Sequence, residues 1–177
     1  MSSFDIFDQH DAPTGKTASY EEVNTQGLWH RGVHVIIYTP EKQIVMQKRS
    51  INMNYHPSEI EISVGGGVDA GERPIEAIVR EIKEETGISV GQDELKYIGK
   101  TKYNHHTKNQ LSRTHIYSYS VCVDKSRLKF LRQEEEVESI FLISKAKLQR
   151  ALAVHRIKNV GKISSLYAYW RMLLAAV

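Results

Sequence analysis

The chain has 177 residues, 41% hydrophobic and 25% charged, the composition of one soluble globular domain with a sizeable core. A formal charge of only +3 gives no electrostatic case for nucleic acid as a partner, and a single cysteine, Cys122, excludes an internal disulfide and fits a reducing cytoplasm. The N-terminus shows no apolar h-region, and the apolar stretch from Leu166 to Val177 is broken by Arg171 and too short to span a bilayer, so neither a signal peptide nor a membrane partner is expected.

In chain order, residues 1–24 open with Phe4, Ile6 and Phe7 among Asp5, Asp8 and Asp11, pass a turn-rich APTGK, and reach a second apolar run from Tyr20 to Val23. Apolar runs on either side of Pro13 and Gly15 predict a hairpin. Its aspartates could bind a metal, but exposed hairpin charges account for them more simply. Gly32 to Tyr38 is apolar and β-branched and reads as a buried strand. Pro40 to Lys42 turns it back into a second strand, Ile44 to Arg49, with basic residues at the far end of the hairpin. Ser50 to Ser58 is a polar loop containing Pro57, and Glu59 to Val64 is a short strand that delivers a glycine-rich loop. There Gly65, Gly66, Gly67 and Gly71 allow positive φ and close approach to a ligand.

Pro74 suits the first position of a helix and Gly87 its stop. Beyond it, Leu95 to Lys102 reads as a strand, Tyr103 to Ser112 as a mobile polar loop, and His115 to Val123 as a half-buried strand by its period of two. Cys122, within that strand, reads as a small buried residue. An acidic loop, Gln133 to Glu136, precedes the strand Val137 to Ile143. Ser144 and Ser164 can cap helices running to Ala153 and Ala176, the second with Leu166, Tyr169, Trp170 and Leu173 as an apolar packing stripe. This order predicts one α+β domain, a sheet with helices packed on it.

The central helix has two faces. At about 100° per residue Ile75, Ile78, Val79 and Ile82 share one side, while Glu81, Glu84 and Glu85 share another. Glu81 and Glu85 repel as an i,i+4 pair by about 0.2–0.5 kcal/mol, and both lie toward the helix end where the dipole disfavours anions. Arg80 and Lys83 offset this only in part. A solvated acidic face explains most short glutamate runs; an acidic cluster at the wrong helix end is also what a divalent cation would correct.

The full spacing decides between these. Gly66, five residues, Glu72, seven residues, Arg80-Glu81-Ile82, one residue, Glu84-Glu85, one residue, Gly87-Ile88 resembles the Nudix box without departure. The resemblance covers about residues 30–155 and implies a mixed β-sheet sandwiched between α-helices, with residues 1–29 as an N-terminal hairpin extension and 156–177 as a C-terminal helix of the same single domain. It implies an enzyme that hydrolyses a diphosphate joined to another group with Mg²⁺ or Mn²⁺, a hard ion that takes oxygen ligands. By position, Glu81, Glu84 and Glu85 are the implied metal ligands, with Glu85 the least dispensable and the Gly66 carbonyl a further ligand. Glu72 and Arg80 would be an ion pair fixing loop against helix, and Gly87 the helix stop. A later glutamate, from Glu134-Glu135-Glu136 and Glu135 first, would serve as base or extra ligand. Arg49, Gly66, Gly67, His105 and Arg113 (with Lys48, His106 and Lys108 nearby) could contact the substrate. The resemblance makes a homodimer the expected form, and the single cysteine makes the cytoplasm the expected compartment.

Trp29-His30-Arg31-Gly32-Val33-His34-Val35, followed by Gln47-Lys48-Arg49-Ser50, looks like the isopentenyl-diphosphate isomerase-like branch. Isomerisation is therefore the rival reading. That chemistry implies a cysteine where this chain has Gly65, a histidine where it has Gly67, and a glutamate pair where it has Arg113 and His115. His30 matches one metal histidine, but its partner position is Val23, so His30 is expected to be structural. A third reading, a Nudix module that binds a nucleotide without cleaving it, implies a degraded box, and this box is intact. The expectation is a hydrolase acting on a nucleoside diphosphate linked to another moiety.

Overall fold

The computed structural model describes residues 3–53, 56–106, 111–128, 136–158, 160–163 and 167–177, with the side chains of 105, 106 and 167–169 also outside the description. Among the described residues nine strands form one mixed sheet. Its axis is β3 (Trp29–Tyr38), which pairs in parallel along its length with β8 (Leu111–Cys122). On its other side β3 pairs antiparallel with the glycine strand β6 (Val64–Gly67), in the register Gly32↔Gly67 to Val35↔Val64. β7 (Lys96–His106) borders β8, and β4 (Gln43–Arg49) pairs with β9 (Val137–Ser144) and with the short β5 (Ile60–Glu61). β3 and β4 meet only at Tyr38↔Ile44, so the expected hairpin opens at once and hands its strands to different partners.

Alternation along β3 sorts the core into two layers. Val33, Val35 and Ile37 face α2 (Pro74–Thr86), whose Ala77, Ile78 and Ile82 are fully buried. Ile36 faces the other way, toward Leu148 and Leu152 of α3 (Lys145–Ala153) and Trp170 and Leu173 of α4 (Tyr167–Leu174). The sheet thus lies between α2 and the C-terminal helices. Burying each α2 isoleucine contributes about 1.5–3 kcal/mol. Helix α2 starts with Pro74 at its first turn and ends at Gly87 in the left-handed conformation (φ 71), as its sequence indicates. Ser144 caps α3, its Oγ accepting from the Lys147 amide at 3.3 Å. The Ser164 cap, with Leu166, lies outside the described residues. No described helix is long and apolar enough to cross a membrane.

Several local expectations are corrected. Tyr20 to Val23 is not a hairpin strand: β1 (Ser3–Phe7) pairs with β2 (Pro13–Ser19), and α1 (Tyr20–Gln26) follows. Ser19 and Glu22 form a capping box there, a helix start that outweighs the apolar run. Tyr103 to His106 and Leu111 to Ser112 are not loop but strand, continuing β7 and β8 as an antiparallel pair; polar side chains are tolerated on an edge strand whose backbone is paired. Glu59 to Val64 is only briefly extended. Asp11 is not an exposed hairpin charge. Its side chain is 5% exposed and accepts from Arg31 (2.8 Å), Lys100 (2.6 Å) and the Tyr117 hydroxyl (2.5 Å), which ties the extension to the sheet. Cys122 is exposed rather than buried, because it closes β8 with its side chain outward.

Candidate active site

The glycines do something other than adopt positive φ. Gly65, Gly66 and Gly67 are in extended β6, and only Gly71 of the group is left-handed (φ 79). What they supply is room. A Cβ at Gly66 would overlap the Glu81 carboxylate, one at Gly67 would overlap the Phe4 ring, and one at Gly65 would come within 2.6 Å of the His34 ring. Because strand residues alternate, Gly66 opens toward α2 and its acids, while Gly65 and Gly67 open toward the opposite side.

On the α2 side Arg80 is the hub. Its Nε and Nη2 donate to both carboxylate oxygens of Glu72 (3.1 and 2.9 Å), and Nη2 also donates to the Gly67 carbonyl (3.0 Å). Its Nη1 donates to Glu81 (2.7 Å) and Glu84 (3.2 Å). One guanidinium therefore joins the glycine strand, the loop before the helix, and two of the three acids. Its hydrogen bonds and charge contacts with Glu72 first, and then Glu81, raise the Arg80 pKa further against the opposing effect of burial.

Glu81 and Glu85 sit below the surface. Burial pushes Glu81 up to about 7, against the pull of Arg80 and with added repulsion from Glu84 and Glu136. Glu85, 5% exposed, is pushed well above the usual carboxylate range by burial first and then by Glu81, with Gln47 hydrogen-bonded to it. Its Oε2 has no hydrogen-bond partner among the described residues. Glu84 is 53% exposed and turned to Arg80, and no three His, Cys, Asp or Glu groups converge on one point among the described residues. Buried oxygen donors sharing one small space, one of them orphaned, fit a hard divalent cation, whose charge would remove the repulsion that now favours their protonation.

Of the acidic run after the box, Glu134 and Glu135 lie outside the described residues. Glu136 is exposed, its carbonyl accepts from the Ser50 amide at 2.8 Å, and its charge reaches both Glu81 and Glu85. Arg49 pairs with Glu61 at 2.9 Å. Arg113 donates to the Gly27 carbonyl at 3.4 Å, and the His105 side chain lies outside the description.

On the other side of β6 is a cavity of about 280 Å³, with Gly65, Gly66 and Gly67 in its wall and His34, Arg49 and Glu61 beside them. Glu61 is paired across β5 and β4 with Gln47, the residue hydrogen-bonded to Glu85, so this end of the cavity is two residues removed from the acid pair. His30 also lines it, its Nδ1 near the Leu28 carbonyl (3.1 Å) and its Nε2 near the Thr114 hydroxyl (3.4 Å). Burial lowers His34 to about 4, so its ring is neutral at pH 7. Gln47, His34, Glu61 and Phe4 were not singled out from the sequence. A glutamine on the buried face of an apolar strand was the available signal for Gln47; the others come together only through the fold.

The comparisons agree with this geometry. Residues 28–161 match the NUDIX domain. An uncharacterised Nudix hydrolase of Clostridium acetobutylicum is 33% identical over 154 residues, covering 84% of this chain and 72% of that protein. Another from Yersinia pestis is 29% identical over 85 residues, so that the match spans 48% of this chain and 46% of the relative. The crystal structure of DR0079 from Deinococcus radiodurans shares the fold at a TM-score of 0.67 and 18% identity, covering 96% of this chain and 97% of that one. The chain belongs to the Nudix family, and with it to the pyrophosphohydrolases.

Proposed function

We propose that the protein is a Mg²⁺-dependent hydrolase that cleaves the diphosphate bond of a nucleoside diphosphate linked to another moiety. The observation that carries this is Glu85: a buried carboxylate with an orphaned oxygen, beside Glu81 and across from the glycine strand. Glu81, Glu85 and the Gly66 carbonyl would hold Mg²⁺ or Mn²⁺, with Glu84 joining once released from Arg80. When bound, the cation neutralises phosphate oxygens and lowers the pKa of the attacking water. Arg80 keeps Glu81 oriented and pins Gly67 to the helix. Glu135, or its neighbour Glu136, would take the proton from that water, and Arg49 would meet the phosphate-bearing end of the substrate where the cavity opens on the acids. Gly67, in the glycine strand, and His105 and Arg113, in a basic stretch, complete the proposed substrate contacts.

Within the family we assign the chain to the isopentenyl-diphosphate isomerase-like branch, as a hydrolase. No thiol stands at Gly65. Cys122 pairs with Tyr38, four residues along β3 from His34, the partner of Gly65. At about 3.3 Å per residue that is about 13 Å along the strand, with β3 itself lying between the two residues, and the cysteine is exposed. Cytoplasmic action and a homodimer belong to the same proposal, and a monomer in sedimentation would remove the dimer. The test of the whole is product release from a panel of diphosphates with and without Mg²⁺. Cation-dependent monophosphate release supports hydrolysis. Interconversion of isopentenyl and dimethylallyl diphosphates without release supports the isomerase, and tight binding without turnover supports a sensor.

A further inference from the structure

The cavity beside the glycine strand is closed by parts of the chain that the NUDIX domain match, residues 28–161, leaves out. Phe4 comes from β1, Tyr20 and Asn24 from α1, and Trp170 from α4. Phe4 is the pivot. It is buried and fills the space that a side chain at Gly67 would need. Its ring centroid lies 5.4 Å from that of His30 and 6.4 Å from that of Tyr20, tilted by 51° and 50°. Rings at such distances and tilts form an aromatic cluster that can accept a further flat ring in the same geometry.

Much of the remaining lining is polar: Arg49, Glu61 and His56 stand at the end beside the glycine strand, and Asn24, Ser112 and Thr114 lie nearer the rings. Asn24 is held by its own hydrogen bond, Nδ2 donating to the Tyr20 carbonyl at 2.8 Å, and the Ser112 and Thr114 hydroxyls are 3.4 Å apart on β8. An aliphatic chain would cover the remaining hydrogen-bonding capacity of these groups, the Asn24 Oδ1 among it, and return nothing for the lost water. At the Phe4, Tyr20 and His30 end a sugar would meet mostly ring carbon where it needs dense hydrogen bonding. A heteroaromatic ring with a hydrogen-bonding edge meets both requirements at once. The size also suits one such group, since the volume is at the lower end for ligand pockets.

Resting on the hydrolase reading above, we propose that this cavity takes the base end of the substrate. Phe4 and Tyr20 of the N-terminal segment supply the ring contacts and Asn24 the polar contact that fixes specificity. The diphosphate then runs past Arg49 and Glu61 toward Glu81 and Glu85. The segment before the domain is, on this view, a part of the site rather than an appendage.

The test uses binding without turnover. Nucleoside monophosphates (AMP, GMP, CMP, UMP) are titrated by calorimetry into the full chain without divalent cation, with inorganic pyrophosphate and geranyl monophosphate as ring-free probes. Tyr20, 57% exposed, and Asn24 can be replaced without opening the core, and thermal melts verify that they are. The expectation is that at least one nucleotide binds, and that Tyr20→Ala and Asn24→Ala each weaken it by about tenfold while pyrophosphate binding is unchanged. Nucleotide binding indifferent to both variants overturns the proposal, as does tighter binding of geranyl monophosphate than of every nucleotide. If nucleotides bind in this variant-sensitive way but no diphosphate is hydrolysed with Mg²⁺, the hydrolase reading fails and the base site stands. If diphosphates are hydrolysed with KM indifferent to both variants, the reverse holds.

Discussion

The two sides of the glycine strand are built by opposite means. Toward α2, Gly66 meets acids that all come from one helix, oriented by an arginine on that helix and a glutamate two residues ahead of it. Away from α2, Gly65 and Gly67 meet a histidine from β3 and a phenylalanine from the first strand, in a cavity completed by the last helix. The first side is local and charged; the second is assembled from distant segments and mostly apolar. Chemistry common to a family can reside in a contiguous stretch, whereas the recognition of an attached group can be supplied by whatever the chain adds around it.

Substitutions on each side should separate these roles. The largest effect is expected from Glu85→Gln, which keeps the shape and removes the charge; turnover with Mg²⁺ should fall by at least about a hundredfold. The thermal melt without cation should be equal to or above that of the parent, because the buried carboxyl already favours its neutral form. Turnover within threefold of the parent would take Glu85 out of the cation site. Next, Gly66→Ala and Gly67→Ala test the two directions of one strand. The first drives a methyl into Glu81 and should lower kcat about tenfold or more; the second displaces Phe4 and should raise KM more than it lowers kcat. Identical kinetic changes in both would erase the distinction between the sides. A smaller effect is expected from Asp11→Ala, which leaves Arg31, Lys100 and Tyr117 without their shared acceptor. It should destabilise by about 1–3 kcal/mol in denaturant melts and weaken nucleotide binding through the N-terminal segment, with little change in cation binding. The smallest is Cys122→Ala: the side chain is exposed at a strand end, so activity should stay near the parent value, and its loss would return a thiol mechanism to consideration.

The same contrast explains what could be read from sequence. The spacing from Gly66 to Ile88, with Pro74 and Gly87 bounding α2, is local information, and it located the acids and their helix. A sheet with helices packed on it followed from the order of elements, its sandwich form from the resemblance to the Nudix box, and β3, β4 and β9 from their apolar runs. The capping box of Ser19 and Glu22 was equally local but was masked by the apolar residues after it. Strand pairing at Tyr103 to His106 could not be read from polar residues whose only requirement is a partner for their backbone. Nor could the service of the three glycines to Glu81, His34 and Phe4, which depends on 15-, 31- and 63-residue separations closed by the fold. Glu61, in the cavity wall and paired with the glutamine that meets Glu85, is of the same kind.

The central claim is that Glu81 and Glu85 together grip a divalent cation, and a cation titration of thermal stability tests it most directly. Burial holds Glu81 up at about 7 in the folded chain against an ordinary 4.5, and holds Glu85 well above that ordinary value too. Folded protein therefore holds more protons than unfolded between these values. The stability they contribute is full below about pH 4.5 and is lost as pH rises through 7 when no cation is present. At pH 8, Mg²⁺ at about 100 times its Kd should raise Tm by about 5–10 °C, and at pH 5 it should do little. In Glu85→Gln the pH 8 gain should disappear. A gain of equal size in parent and variant, or one as large at pH 5 as at pH 8, would contradict the account.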